Sequence, residues 1–283
     1  MSQLQLHGSQ KADCLLLGGD VYHSTEHSFP GLLPACQAAG LTVEYLCKGP
    51  ALCAEKLEGK KVVIIFADGY TEDQPLRPTW MAPEQEQALE AFVKGGGSFT
   101  PIHNSMWGYP IGIHDTYEPD AQAAELQEVQ KLLQASTKPT TTAEVGLDDV
   151  SKMGPYRRLC GGVGGHHPAY ELLQMTVVDD SHPITAGVTD FEVHDEPHFT
   201  FIDAHRGAQL LLTNTCSNGD QSCAGWAFEY ERGRVCYLAP GHVPLKGHDQ
   251  LPAGAESAMS HPMCQRLFHN AVRWLARSAE SKI

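Results

Sequence analysis

The sequence lacks a hydrophobic run long enough to cross a bilayer, which takes about 18 to 20 apolar residues in succession. It also lacks an excess of positive charge: 20 lysines and arginines stand against 34 aspartates and glutamates, a formal net charge of −14 with neutral histidines. Nucleic acids and anionic membranes attract basic surfaces, so neither is an expected partner. Residues 1–11 contain no apolar core of a signal peptide. These absences predict a cytoplasmic protein that binds a small molecule or another protein.

A recognisable nucleophile is missing as well. The nine cysteines form no CxxC pair and are dispersed, several of them within apolar runs, as is typical of reduced and buried thiols. No cysteine stands at a strand-to-helix turn, and no GxSxG motif occurs, so acyl-enzyme chemistry is not expected. The glycine-rich segments lack the lysine of a phosphate-binding loop. No nucleotide cofactor is therefore expected.

The chain does contain an alternation of strand and helix patterns up to residue 103. Such alternation is typical of a parallel sheet covered by helices. Apolar runs predict strands over 13–19, 41–46, 61–67, 98–102, 172–178, 209–213, 224–230 and 234–238. Helical patterns cover 29–40, 83–94, 120–134 and 264–276.

No linker divides the chain, and one domain over 12–277 is expected, with flexible termini at 1–11 and 278–283. Residues 104–160 are less regular and rich in polar and turn-forming residues. They are interpreted as a lid or insertion.

Three histidines follow predicted strands: His23, His103 and His242. In open α/β sheets, ligands bind beyond the carboxyl ends of the strands, so a catalytic or binding site is expected where these histidines meet. Several imidazoles at one edge can transfer protons or bind a metal of the zinc type. For any one of them, a loop histidine without a role is the simpler reading, and His27 is an alternative to His23.

Two further clusters contain groups suited to chemistry. Glycines at 161–165 permit close approach of the backbone to a ligand, and of the adjacent His166 and His167 one is expected to face the site. In the segment 194–198 a carboxylate beside histidines can act as a base, orient an imidazole or complete a metal shell, although a solvated acidic turn is equally compatible. Aromatic side chains in the same loops could stack on a sugar ring: Tyr22, Trp80, Trp107 and Tyr109.

Several motifs of the chain resemble those of one known family. The motifs are residues 80–97 with Ile102-His103, the HPIT sequence at 182–185 followed by Asp195-Glu196, and the final Gly241-His242. The family that they resemble is the ThuA-like (trehalose-utilisation) family, and the resemblance covers about residues 12–277. That family is similar in fold to class I glutamine amidotransferases. The resemblance implies a flavodoxin-like three-layer α/β/α sandwich with a mostly parallel central sheet. His103 takes the place of the nucleophilic cysteine, so no glutaminase activity is expected.

The resemblance also implies a function in carbohydrate metabolism. The expected activity is hydrolysis or elimination of an oxidised (3-keto) glycoside by histidine and glutamate acid–base chemistry, assisted by a divalent metal such as zinc or manganese. The alternative is a non-catalytic sugar-binding or assembly protein on the same fold, and a homo-oligomer is compatible with either. The sequence departs from the family in its insertion and at Pro197. The expected catalytic residues are His103, Asp195, Glu196 and His242; the substrate-binding residues are Tyr22, Trp107, Tyr109, Gly165 and His167; the metal ligands are His23, His103, Glu196 and His242.

Overall fold

The computed structural model describes residues 12–20, 22–69, 80–106, 137–146, 154–242, 251 and 255–277. Its helices are α1 (Thr25–Ala38), α2 (Ala54–Leu57), α3 (Pro83–Lys94), α4 (Pro155–Cys160) and α5 (Pro262–Ala276). Its strands are β1 (Cys14–Gly18), β2 (Val43–Leu46), β3 (Val62–Phe66), β4 (Ser98–Pro101), β5 (Gly162–His166), β6 (Glu171–Val177), β7 (Phe191–Asp195), β8 (Phe199–Ile202), β9 (Gln209–Thr215), β10 (Gln221–Tyr230) and β11 (Gly233–Leu238).

The described strands form one large sheet in the order β2-β1-β3-β4-β11-β10-β9-β6-β7, and β5 pairs with β8 separately. Neighbours from β2 to β11 run parallel. Neighbours from β11 to β7 run antiparallel. The fold is therefore mixed α/β, which corrects the expectation of a mostly parallel sheet. Short connections explain the difference, because two residues join β10 to β11 and a parallel pairing needs a long crossover.

The parallel half of the sheet contains the most completely buried strands. Every residue of β1 and β3 is buried, as expected for strands with continuous apolar sequences and cover on both faces. Helix α5 turns its apolar stripe inward, and α1 packs against it. The predictions of strands over 13–19 and 61–67 and of a closing helix over 264–276 are confirmed within a few residues at each end.

Helix α4 holds the segment that follows β4. The Tyr156 hydroxyl donates to the Ser105 carbonyl at 2.7 Å, and the Arg157 guanidinium donates to the Met106 carbonyl. The amino end of α4 is in turn held by Glu86 of α3, whose carboxylate accepts the Tyr156 N–H at 3.1 Å. Helical N–H groups in the first turn have no partner within the helix, so Glu86 supplies one.

Glu86 makes stability depend on pH. Burial raises the pKa of its carboxyl to about 7 from 4.5, although the Tyr156 N–H and the charges of Arg157 and Arg158 oppose the shift and Glu90 adds to it. Between these two values the unfolded chain has lost the proton and the folded chain keeps it, so stability falls as the pH rises. We expect Glu86→Gln to raise the free energy of unfolding at pH 8 by about 1–3 kcal/mol and to leave it nearly unchanged at pH 4. Urea unfolding at both pH values measures this; an equal effect at both would contradict it.

Several sequence predictions lie outside the described residues: the helix over 120–134, both termini and most of the lid or insertion over 104–160. Of that last range, α4 is described and is largely buried against α3. Among the helices described, none combines the length and the apolar character needed to span a bilayer.

Candidate metal centre

Three histidines and one glutamate converge at the carboxyl ends of the parallel strands. His23 follows β1, His103 follows β4, and His242 follows β11; their exposed fractions are 4%, 0% and 3%. Glu196 comes directly after β7. Each of the four residues offers one potential ligand atom, and these atoms all lie within 4.8 Å of one another. The four residues that the sequence analysis proposed as metal ligands therefore lie together in the structure.

His103 is held at its backbone and at its ring. Its φ of 56° lies in the left-handed region, which residues other than glycine adopt infrequently and which often marks a functional position. The Tyr237 hydroxyl donates to the His103 carbonyl at 3.0 Å, and His103 Nδ1 lies 2.8 Å from the Ala239 carbonyl oxygen. A carbonyl oxygen only accepts, so Nδ1 carries the hydrogen. Nε2 is then the nitrogen left for a proton or for a metal ion.

Asp20 orients His23. Both of its carboxylate oxygens lie 3.0 Å from His23 Nδ1, and one accepts the backbone N–H of His23 at 2.7 Å. Burial alone would raise the pKa of Asp20, but the charge and hydrogen bond of His23 and the N–H groups of Asp68 and Tyr22 lower it. A carboxylate on the far nitrogen of a histidine is a common support for metal ligands. The sequence analysis missed Asp20, although an acidic residue directly after the first strand was a usable signal.

Asp195 fastens the turn that carries His242. Its buried carboxylate accepts the N–H of Gly241 at 2.8 Å, of His242 at 3.0 Å and of Glu196 at 2.8 Å. Burial raises the pKa of Asp195, although His103, His242 and the backbone N–H groups oppose the shift. The turn approaches His103 closely, since a Cβ on Gly241 would lie 2.8 Å from His103 Cβ. Glycine is the residue that fits there.

Glu196 lies among imidazoles. Its Oε2 is 3.5 Å from His103 Nε2, 3.3 Å from His242 Nδ1 and 3.7 Å from His167 Nδ1. Burial alone would raise the pKa of Glu196, but hydrogen bonds and charges from these histidines hold it far below its usual range. Glu196 is therefore an ionised carboxylate facing ring nitrogens.

A further imidazole, His198, was not selected from the sequence, although it belongs to the segment 194–198 that stood out there. It is 4% exposed, and its Nε2 lies 3.3 Å from His103 Nε2. Burial places the pKa of His198 well below its usual value, and the neighbouring His103 and His167 lower it further. Tyr170 was missed too; its ring centre lies 4.9 Å from that of His242.

The remaining predicted residues lie in different places. The Tyr22 ring meets the His23 ring edge-on at 6.4 Å, and the half-exposed His167 side chain borders Glu196. Trp80 is buried, and its indole N–H donates to the Asp68 carbonyl, as a loop anchor does. Trp107 and Tyr109 lie outside the described residues. Gly165 and His166 belong to β5, and His27 belongs to α1. The side chains of His27 and His166 are not described.

The donor set fits a divalent first-row metal ion. Imidazole nitrogen and carboxylate oxygen are ligands of zinc and of its neighbours in the periodic table. Asp20 and the Ala239 carbonyl occupy Nδ1 of His23 and of His103, which leaves Nε2 of each ring as the atom available to an ion. Such carboxylate and carbonyl partners commonly orient metal-bound histidines.

Comparison with known proteins supports the resemblance seen in the sequence. The family described as "ThuA: Trehalose utilisation" matches residues 122–275, more than half of the chain. Glu196 and His242 lie inside this range, whereas His23 and His103 precede it. No curated protein matches the chain in sequence.

Solved structures agree in fold. A ThuA-like protein from Parabacteroides merdae ATCC 43184 superimposes with a TM-score of 0.57 at 16% identity, covering 97% of this chain and 93% of that one. A ThuA-like protein from Bacteroides uniformis ATCC 8492 gives 0.53 at 15% identity, covering 95% and 94%. A β-galactosidase from Rahnella sp. R3 gives 0.51 at 13% identity, covering 93% of this chain and 31% of that one. On its sequence match, with a fold that agrees, the chain belongs to the ThuA (trehalose-utilisation) family.

Proposed function

We propose that this protein is a metal-assisted carbohydrate-processing enzyme, a hydrolase or lyase that cleaves an oxidised (3-keto) glycoside. The observation that carries the proposal is the convergence of His23, His103, His242 and Glu196, whose ligand atoms lie within 4.8 Å of one another at the carboxyl edge of the sheet. The trehalose-utilisation description of the family supports a sugar as the substrate.

A divalent ion held by these four residues would act as a Lewis acid and stabilise negative charge on the substrate carbonyl oxygen. Zinc and manganese are the expected ions. The family resemblance and the donor set support this choice, and the surrounding protein holds two of the rings in place. Asp20 fixes His23, and the Ala239 carbonyl fixes His103.

The reaction follows from the chemistry of a 3-keto sugar. A carbonyl at C3 acidifies the C2–H bond, so a base can remove that proton. The electron pair of the C–H bond then forms a C1–C2 double bond while the C1–O glycosidic bond breaks, and the departing oxygen takes up a proton. Addition of water to the double bond completes a net hydrolysis.

Exposure decides which side chains can meet the substrate. The side chains of His23, His103 and His242 are at most 5% exposed, whereas that of Glu196 is 15% and that of His167 is 41% exposed. The low pKa of Glu196 makes it a weak base, and its carboxylate is assigned to the ion. We therefore assign proton transfer to His167 and the contact with the sugar to His167 and Tyr22. Asp195, which bonds to three backbone N–H groups, is assigned a positioning role.

The proposal is tested by incubating the protein with Zn²⁺ or Mn²⁺ and 3-keto-trehalose and measuring the release of glucose. We expect release that EDTA abolishes and no cleavage of unoxidised trehalose, because trehalose has no acidified C–H bond. The matched variants are His103→Asn, which should lose turnover, and His205→Asn, an exposed histidine away from the cluster, which should keep it. If metal-loaded protein binds 3-keto-glucosides without ever cleaving them, the protein is a sugar-binding protein and not an enzyme.

We also propose that helices cover both faces of the large sheet, as in a flavodoxin-like three-layer sandwich. The crossover from β1 to β2 and that from β3 to β4 run in opposite directions along the sheet. Because such crossovers are right-handed, they favour α1 and α3 on opposite faces.

A further inference from the structure

Within the described part of the chain, the buried His198 side chain makes one hydrogen-bonding contact, and its partner is another imidazole. His198 Nε2 lies 3.3 Å from His103 Nε2, and the two ring centres are 4.2 Å apart at an interplanar angle of 75°. A buried histidine ordinarily pairs with a carboxylate, a carbonyl or water. Two ring nitrogens that face each other require a separate explanation.

The tautomer of His103 restricts the possible explanations. Its Nδ1 carries the hydrogen because it faces the Ala239 carbonyl, so Nε2 is the nitrogen left for a proton or for a metal ion. Either Nε2 carries a proton that Glu196 or His198 accepts, or it accepts the Nε2–H of His198, or both rings turn a lone pair toward one cation. A lone pair that accepts a hydrogen bond from His198 cannot also bind a metal ion. Metal binding by His103 therefore requires that the contact between the two rings change.

The distance between the two nitrogens is short enough for a hydrogen bond and also fits two ligands of one ion. Two nitrogens that bind one ion at 2.0–2.1 Å, with an angle of 90° to 110° between the two bonds, are about 2.8–3.4 Å apart. The separation of His198 Nε2 and His103 Nε2 is 3.3 Å. Within the four-residue cluster, Glu196 Oε2 lies 3.3 Å from His242 Nδ1 and 3.5 Å from His103 Nε2. His198 is thus as close to His103 as Glu196 is to its two neighbours. It lies outside the group of four whose ligand atoms are all within 4.8 Å of one another, so binding the same ion requires its ring to turn toward the centre.

We propose that His198 is a fifth protein ligand of the ion held by His23, His103, His242 and Glu196, and that it binds through Nε2 in place of its contact with His103. This inference rests on the proposed metal-dependent function. It also narrows the choice of ion. Five protein ligands exceed the four of a tetrahedral zinc site but leave one open position on an octahedral ion. Four imidazoles and one carboxylate suit an octahedral first-row ion, with the open position left to the substrate carbonyl.

The test uses Co²⁺ as a spectroscopic probe on the full chain. Titration calorimetry gives the affinity, and the visible absorption of bound Co²⁺ reports its coordination number, because absorption strengthens as ligands are lost. We expect His198→Ala to bind one Co²⁺ per chain with about 10- to 100-fold weaker affinity and with stronger visible absorption than the wild type. His198→Gln provides a second, polar variant, circular dichroism checks folding, and His205→Ala serves as the histidine control.

The outcomes separate this inference from the proposed function. If both His198 variants fold and bind Co²⁺ with the affinity and spectrum of the wild type, His198 is not a ligand and the four-residue centre stands. If they bind Co²⁺ more tightly, His198 only competes for the lone pair of His103, and the inference is again overturned. If the wild type binds no Co²⁺, the proposed metal centre and the fifth ligand both fail.

Discussion

Replacing His103 by asparagine is expected to weaken Zn²⁺ or Mn²⁺ binding by at least about 100-fold, since loss of a supporting partner alone costs about 10- to 100-fold. His103 is fully buried, and its Nε2 is the nitrogen turned toward Glu196. Asparagine is the suitable replacement because it tolerates the left-handed backbone at this position, with φ at 56°. Titration calorimetry measures the change, and the unfolding midpoint shows whether the variant is folded.

The control for this prediction is the exposed His205, since His205→Asn makes the same chemical change away from the cluster. It should bind the metal as the wild type does. If His103→Asn binds the metal with the affinity of the wild type, His103 is not a metal ligand. Its left-handed backbone conformation would then have no explanation in metal binding.

Asp195→Asn is expected to lower both stability and metal affinity, although the side chain keeps its size. The Asp195 carboxylate accepts three backbone N–H groups, two of them in the Gly241-His242 turn. In asparagine one oxygen becomes an NH₂ group that faces an N–H. Disrupting a buried charged acceptor costs about 3 kcal/mol, which lowers the unfolding midpoint by roughly 6–12 °C in a domain of this size. Because His242 shifts with its turn, metal affinity should fall about 10- to 100-fold.

The comparison for Asp195→Asn is Asp190→Asn. Asp190 accepts one exposed N–H, that of Val177, in the same β6–β7 hairpin. An exposed bond of this kind contributes at most about 1 kcal/mol, and no effect on metal binding is expected. If the two variants lose stability equally and both keep full metal affinity, Asp195 does not position His242.

The sequence predicted the parallel half of the sheet because burial on both faces leaves a local signal. Leu15, Ile64 and their neighbours form uninterrupted apolar runs, and such runs are typical of central parallel strands. The histidines of the cluster were predictable for a related reason. Parallel strands end at the same edge, so residues after β1 and β4 meet without any knowledge of distant contacts.

The antiparallel half was less accessible, and β5 shows why. Its glycines were interpreted as letting a ligand approach the backbone, and no strand was predicted over 162–166, where the structure has one. A Cβ on Gly162 would lie 2.5 Å from the Phe201 carbonyl oxygen and 2.6 Å from the Trp226 ring. Close packing against β8 and β10 therefore requires glycine there. The local sequence around Gly162 cannot show this, because the tryptophan that packs there lies about sixty residues further along the chain.

Side chains that act through another group were the hardest to predict. His198 contacts His103 across 95 positions of the chain, and Asp195 contacts the Gly241 N–H across 46. Sequence motifs identified the segment 194–198 and its carboxylates. The choice of Glu196 over Asp195 as a metal ligand came from the family resemblance. The motif alone could not make it, because it depends on which way each side chain points after β7.

The central claim is that four residues from separate parts of the chain bind one divalent ion. Anomalous X-ray diffraction from crystals grown with Mn²⁺ or Zn²⁺ tests it most directly. The account predicts one strong peak per chain, at about 2.0–2.3 Å from an atom of each of His23, His103, His242 and Glu196. A metal peak elsewhere on the protein, or no peak within this cluster at millimolar metal, would contradict it.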